Sequence, residues 1–134
     1  MRVVRSERTP VANEQDVVLS RQAVRRACQD IGFSIVDQTK MITAASELAR
    51  NAVVYGGGGS MLLEVLQSGA RDGLRLSFTD EGPGIPDIDL ALTDGWTSGN
   101  GLGLGLSGAR RLVNEFELRS APGQGTTVTI TRWR

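Results

Sequence analysis

Between residues 37 and 55 the side chains of Met41, Ala45, Leu48, Ala52 and Tyr55 recur at alternating intervals of four and three, and the chain then turns abruptly to strand patterning. That spacing keeps one face of an α-helix apolar. Asp37 is placed to cap the helix start and the glycine run 56–59 to stop it. Immediately beyond, SMLLEVLQ (60–67) and LRLSFTD (74–80) read as strands joined across Gly69 to Gly73, with Leu74, Leu76 and Phe78 on one face of the second. A one-stripe helix and a one-faced hairpin must bury those surfaces against other elements. The pattern predicts an α+β fold, a two-layer sandwich in which helices cover one face of a mainly antiparallel sheet.

The remaining segments extend this plan. Residues 1–8 contain Val3 and Val4 and read as an edge strand, and Asp16 to Gly32 read as a first helix with Val17, Val24, Ala27, Cys28 and Ile31 on one side. After Asp80 comes EGPGIPDIDLALTDGWTSGNGLG, with one short helical turn expected at 87–93. A connection that long in a compact domain is usually a functional loop or lid. A helix is expected over 104–115, then two strands around Pro122 to Gly125 with Val128 and Ile130 facing inward. The whole of 1–134 is expected to form one domain, large enough to bury a core without disulfides or a structural metal.

Composition removes several kinds of chemistry. Fifteen basic and fifteen acidic residues cancel without forming blocks, so nucleic acid and acidic membrane surfaces are not expected partners. No apolar run reaches the length of a membrane span, MRVVRSERTP lacks a signal-peptide core, and a cytoplasmic location is expected. There is no histidine, which excludes imidazole metal sites, serine-histidine triads and a phosphohistidine within the chain. Lys40 is the only lysine and no G-K-[ST] occurs, so a P-loop is excluded. Cys28, the single cysteine, falls on an apolar helix stripe and reads as a buried structural thiol.

Three stretches can carry chemistry. In SELARN (46–51), Glu47 and Asn51 are four apart and project from one helix face beside Arg50. A carboxylate and an amide so placed could activate a nucleophile and hold a hard cation such as magnesium, although an ordinary polar helix face has the same composition. In DEGPGI (80–85), Asp80 ends a strand where it could accept a hydrogen bond from an exocyclic amine, while Gly82 and Gly84 let backbone approach a flat ligand. A plain acidic turn is the alternative. In GNGLGLGLSGARRLV (99–113), alternate glycines enter a helix whose positive end could face an anion. A dinucleotide-binding reading fails here because that fingerprint needs a parallel strand-turn-helix unit.

The order of these stretches resembles the GHKL (Bergerat) ATP-binding fold shared by gyrase, heat-shock chaperones, mismatch-repair ATPases and histidine kinases. SELARN is similar to its N-box, DEGPGI to the first glycine box, GLGLGL to the second and GQGTT (123–127) to the closing threonine motif. The phrases GFSIVDQTKMITAASELARN and ALTDGWTSGNGLGLGLSGARRLVNEF further resemble the bacterial partner-switching serine kinases, nearest the RsbT-type switch kinases of the stressosome.

The resemblance implies an ATP- and Mg2+-dependent protein serine/threonine kinase. It implies that Glu47 is the general base, that Asn51 holds Mg2+ on the triphosphate, and that Asp80 reads the adenine amine. Gly82 and Gly84 would shape the base pocket, Thr126 would bond near the base, and Arg50 is a candidate for phosphate or partner contact. Gly101, Leu102, Gly103, Leu104 and Gly105 would meet the phosphates under an ATP lid at about 93–104. Implied partners are STAS-domain proteins of a stressosome-like complex as substrates and a metal-dependent serine phosphatase activated by the released kinase. The alternatives are an anti-sigma kinase binding a sigma factor directly, a nucleotide-gated binding module with little catalysis, and a detached histidine-kinase domain. The last would need a separate phosphoacceptor chain, since this one, expected to be complete from Met1, has no histidine.

Overall fold

A computed structural model describes residues 1–85, 87–92 and 104–134. In chain order it contains β1 (Arg2–Val11), α1 (Glu14–Ile31), α2 (Ile35–Val54), β2 (Gly59–Ser68), β3 (Arg71–Asp80), α3 (Ile88–Ala91), α4 (Leu104–Arg111), β4 (Glu115–Ser120) and β5 (Thr126–Trp133). The strands form one five-stranded sheet in the order β1-β2-β3-β5-β4, with antiparallel neighbours throughout. The expected α+β layering is therefore present.

Register explains the core. Met61, Phe78, Val128 and Leu118 form one rung across β2, β3, β5 and β4, and Leu63, Leu76, Ile130 and Phe116 form another on the same face. Alternation along each strand turns Glu64, Arg75, Ser77 and Thr129 to the opposite face, where Arg75 holds Glu64 with two hydrogen bonds of 2.9 and 3.1 Å. Onto the apolar face pack Met41, Ala45 and Leu48 of α2, Val24 and Cys28 of α1, and Leu106 and Ala109 of α4, all in one buried cluster. Each large apolar side chain so covered contributes roughly 1.5–3 kcal/mol. α2 lies between α1 and α4 and touches the central strands β2 and β3.

The element ends refine the sequence reading. Asn13, not Asp16, caps α1: its side chain accepts from Asp16 N at 2.9 Å, and the Asp16 carboxylate accepts from Ala12 N at 2.9 Å. Ser34, not Asp37, caps α2 by accepting from Asp37 N at 3.1 Å. In both cases the expected aspartate sits three residues inside, the usual partner position of a capping box. β1 is longer than its apolar content suggested because it is an edge strand whose ladder to β2 compensates, and an edge tolerates Pro10. The helix expected over 104–115 ends at Arg111, and Glu115 already belongs to β4. Among the described residues no helix is long and apolar enough to cross a membrane.

Candidate functional site

A cavity of about 390 Å³ opens between the last turns of α2, the ends of β3 and β5, and the loop after β3. Leu48, Ala52, Phe78, Ile85, Leu106 and Val128 give it apolar walls, and Asn51, Asp80 and Thr126 supply polar groups at its margin. Apolar faces with a few convergent polar groups suit a flat heteroaromatic ligand.

Asp80 is positioned by sheet register. It is the last residue of β3, opposite Gly59 on one side and Thr126 on the other. The Gly82 N–H donates to its Oδ1 at 2.9 Å, and the Thr126 backbone N–H also donates to the carboxylate. Burial nevertheless pushes the Asp80 carboxyl above the ordinary aspartate value, those two hydrogen bonds acting in the opposite direction. The result is a half-buried carboxylate fixed in one orientation at the cavity wall.

The loop that follows is held against the β4–β5 turn. Gly123 N donates to Pro83 O at 2.7 Å, and Ile85 N donates to Ser120 Oγ at 2.8 Å. Gly84 has φ +80, and a Cβ there would overlap the Ala121 carbonyl oxygen, so this close approach requires glycine. A Cβ on Gly82 would overlap the Cα of Gly56, just past α2, and a Cβ on Gly56 would overlap the Asp80 carboxylate. Gly56 is thus a site residue that the sequence reading treated only as part of a helix stop. Tyr55 was read as core stripe and instead lines the cavity half-buried. Ser120, not singled out in the sequence, bonds to Ile85, Gly125 and Thr126.

On α2, Asn51 lines the cavity, and its buried Nδ2 has no hydrogen-bond partner among the described residues. A buried amide left so is costly unless something else satisfies it. Glu47, one turn earlier, is half-buried and outside the cavity lining, and Arg50 is exposed. Glu47 therefore stands one helical turn before Asn51, outside the cavity itself. Leu104 and Gly105 open α4, and Leu106 reaches the cavity. Gly101, Leu102 and Gly103, with the rest of the expected lid from 93, lie outside the described residues. Among the described residues there is no group of three or more His, Cys, Asp or Glu side chains able to hold a metal.

The sequence profile of the histidine kinase-, DNA gyrase B-, and HSP90-like ATPase family matches residues 36–133. The serine/threonine-protein kinase RsbT of Bacillus subtilis (strain 168) is 42% identical over 123 residues, which cover 92% of each chain. An anti-sigma F factor of Thermoanaerobacter sp. (strain X514) is 26% identical over 92% of this chain and 89% of its own. The crystal structure of the RsbU and RsbW domains of Rv1364c from Mycobacterium tuberculosis superposes on 98% of this chain and 33% of that one, with a TM-score of 0.67 and 22% identity. That likeness concerns the fold.

Proposed function

This chain belongs to the histidine kinase-, DNA gyrase B-, and HSP90-like ATPase family, and we propose that it is a partner-switching protein serine/threonine kinase whose cavity takes the adenine end of ATP. The observation that carries the reading is the pairing, in one apolar cavity, of the fixed Asp80 carboxylate with an Asn51 amide nitrogen left without a partner among the described residues. Asp80 accepts from the adenine amine, and the apolar walls cover the ring faces. Gly82 and Gly84 shape this pocket, while Gly101, Leu102, Gly103, Leu104 and Gly105 approach the phosphates under a lid at about 93–104.

Phosphoryl transfer requires little covalent work from the protein beyond alignment and charge stabilisation. Magnesium, when bound, neutralises phosphate charge. Asn51 would offer it one amide oxygen, a hard donor of the kind magnesium takes. Glu47 takes the proton of the attacking hydroxyl as its oxygen bonds to the γ-phosphorus and the bond to the bridging oxygen breaks, releasing ADP. Arg50, exposed on the same helix, faces incoming phosphate or partner.

The protein substrates under this reading are STAS-domain proteins of a stressosome-like complex, and the released kinase activates a metal-dependent serine phosphatase, all in the cytoplasm. The relatives named anti-sigma F factor favour a second reading, direct binding of a sigma factor. Titration with Mg2+-ATP, followed by co-purification with a STAS partner and with a sigma factor, separates the two. Nucleotide-dependent capture of the sigma factor alone would replace the first with the second.

A further inference from the structure

We infer that Ser120 is a positioning residue that fixes the Thr126 hydroxyl as a hydrogen-bond acceptor toward the cavity, and so selects a purine bearing an exocyclic amine over one bearing a carbonyl there. The inference rests on the reading that the cavity takes a purine nucleotide.

Ser120 ends β4 directly opposite Thr126, the first residue of β5. Its Oγ makes three hydrogen bonds among the described residues: with Ile85 N at 2.8 Å, Gly125 O at 2.9 Å and Thr126 Oγ1 at 2.9 Å. A serine hydroxyl has one proton to give. The Ile85 N–H can only donate, and the Gly125 carbonyl can only accept, so the Ser120 proton goes to Gly125. The contact with Thr126 then requires Thr126 to be the donor. With its single proton turned toward Ser120, the Thr126 oxygen has only lone pairs left to offer a ligand in the cavity that Thr126 lines.

Across the β3–β5 ladder, Asp80 lines the same cavity with a carboxylate. Two acceptors on one wall match the two hydrogens of an amine such as that of adenine. A carbonyl at the same ring position, as in hypoxanthine, meets lone pairs on both sides and leaves them unpaired. Ser120 does not itself line the cavity, so its effect passes through Thr126. Removing its hydroxyl frees Thr126 to rotate and donate.

The test compares equilibrium binding of ATP and inosine triphosphate to the full chain and its variants. Wild type prefers ATP, and Ser120→Ala narrows the ATP-to-ITP affinity ratio about tenfold, the size of one hydrogen bond to a buried group. Ser120→Thr, which keeps the hydroxyl, retains the wild-type ratio. In a Thr126→Val background, adding Ser120→Ala leaves the ratio unchanged within about twofold. A folded Ser120→Ala that binds ATP with the wild-type ratio overturns the proposal, and so does an equal shift in the Thr126→Val background. If Ser120→Ala does not fold, Ser120→Cys, a weaker donor and acceptor, must narrow the ratio in the same direction or the proposal fails. Wild-type protein that binds neither nucleotide refutes the purine reading itself, a result distinct from ATP binding with an unmoved ratio.

Discussion

Asp80 and Thr126 stand opposite each other in the last rung of the β3–β5 ladder, and the backbone N–H of Thr126 donates to the Asp80 carboxylate. Sheet register thereby fixes a carboxylate at the cavity wall where burial raises its pKa. Asp80→Asn keeps the shape and replaces one acceptor oxygen with a donor, so ATP affinity falls about 10- to 100-fold by calorimetric titration. The apo fold responds in the opposite sense. A raised folded-state pKa means that folded protein holds a proton which unfolded protein has released, so stability declines as pH rises from the ordinary aspartate value through the raised one. At neutral pH Asp80→Asn removes that cost and melts higher than wild type, and the advantage shrinks on acidification below the ordinary aspartate value.

Gly56 abuts the same carboxylate. Gly56→Ala forces either the end of α2 or Asp80 to shift, a strain of roughly 1–3 kcal/mol for a tightly packed site. Its expected signature is a loss of ATP affinity of at least about tenfold, read by displacement of a fluorescent nucleotide. Gly57→Ala is the comparison for the neighbouring glycine, where an added Cβ meets nothing within 4 Å but the backbone has φ +73. Gly57→Ala affects stability more than nucleotide affinity.

Arg132 binds Asp37 through Nη2 at 2.6 Å and the Leu112 carbonyl through Nη1 at 2.9 Å, joining β5 to the first turn of α2 and the end of α4. The hydrogen bond from Arg132, reinforced by its charge, holds the Asp37 carboxyl below the ordinary aspartate value. A lowered folded-state pKa gives stability that is present above the unfolded value and lost as pH falls through the folded one. Asp37→Asn therefore costs about 1 kcal/mol at neutral pH, discounted for partial exposure. Urea unfolding at acid pH, below the folded-state pKa, should show that difference vanish.

Cys28 is fully buried on α1, and burial first, then the Asp37 charge, pushes its thiol up to about 12. Native protein at mildly alkaline pH should react with a thiol reagent only as fast as it opens, and denatured protein at once. Rapid native labelling would show that α1 does not pack on the sheet as described.

The sequence displayed the α2 stripe, the β2–β3 hairpin and the positions of Glu47, Asn51 and Asp80 because local periodicity and strand ends encode them. Gly56 and Ser120 were not legible. Gly56 matters through a residue twenty-four places away at Asp80, and Ser120 through partners at 85 and 125–126 that only the folded loop brings to it. Asp16 and Asp37 drew attention as caps because the true caps, Asn13 and Ser34, begin their helices before the apolar periodicity starts. The edge strand β1 was under-read for a related reason, since its ladder with β2 rather than its own side chains supports it.

If Glu47 is the base for phosphoryl transfer, as proposed, mass spectrometry of a STAS-domain protein incubated with Mg2+-ATP and this chain reads the reaction itself. The expected product is a phosphate ester, stable to acid, on a serine or threonine of the partner. Glu47→Gln slows transfer about 100-fold or more while ATP affinity stays near that of wild type. Acid-labile phosphate on the partner, no transfer by a protein that binds ATP, or full transfer by Glu47→Gln would contradict it.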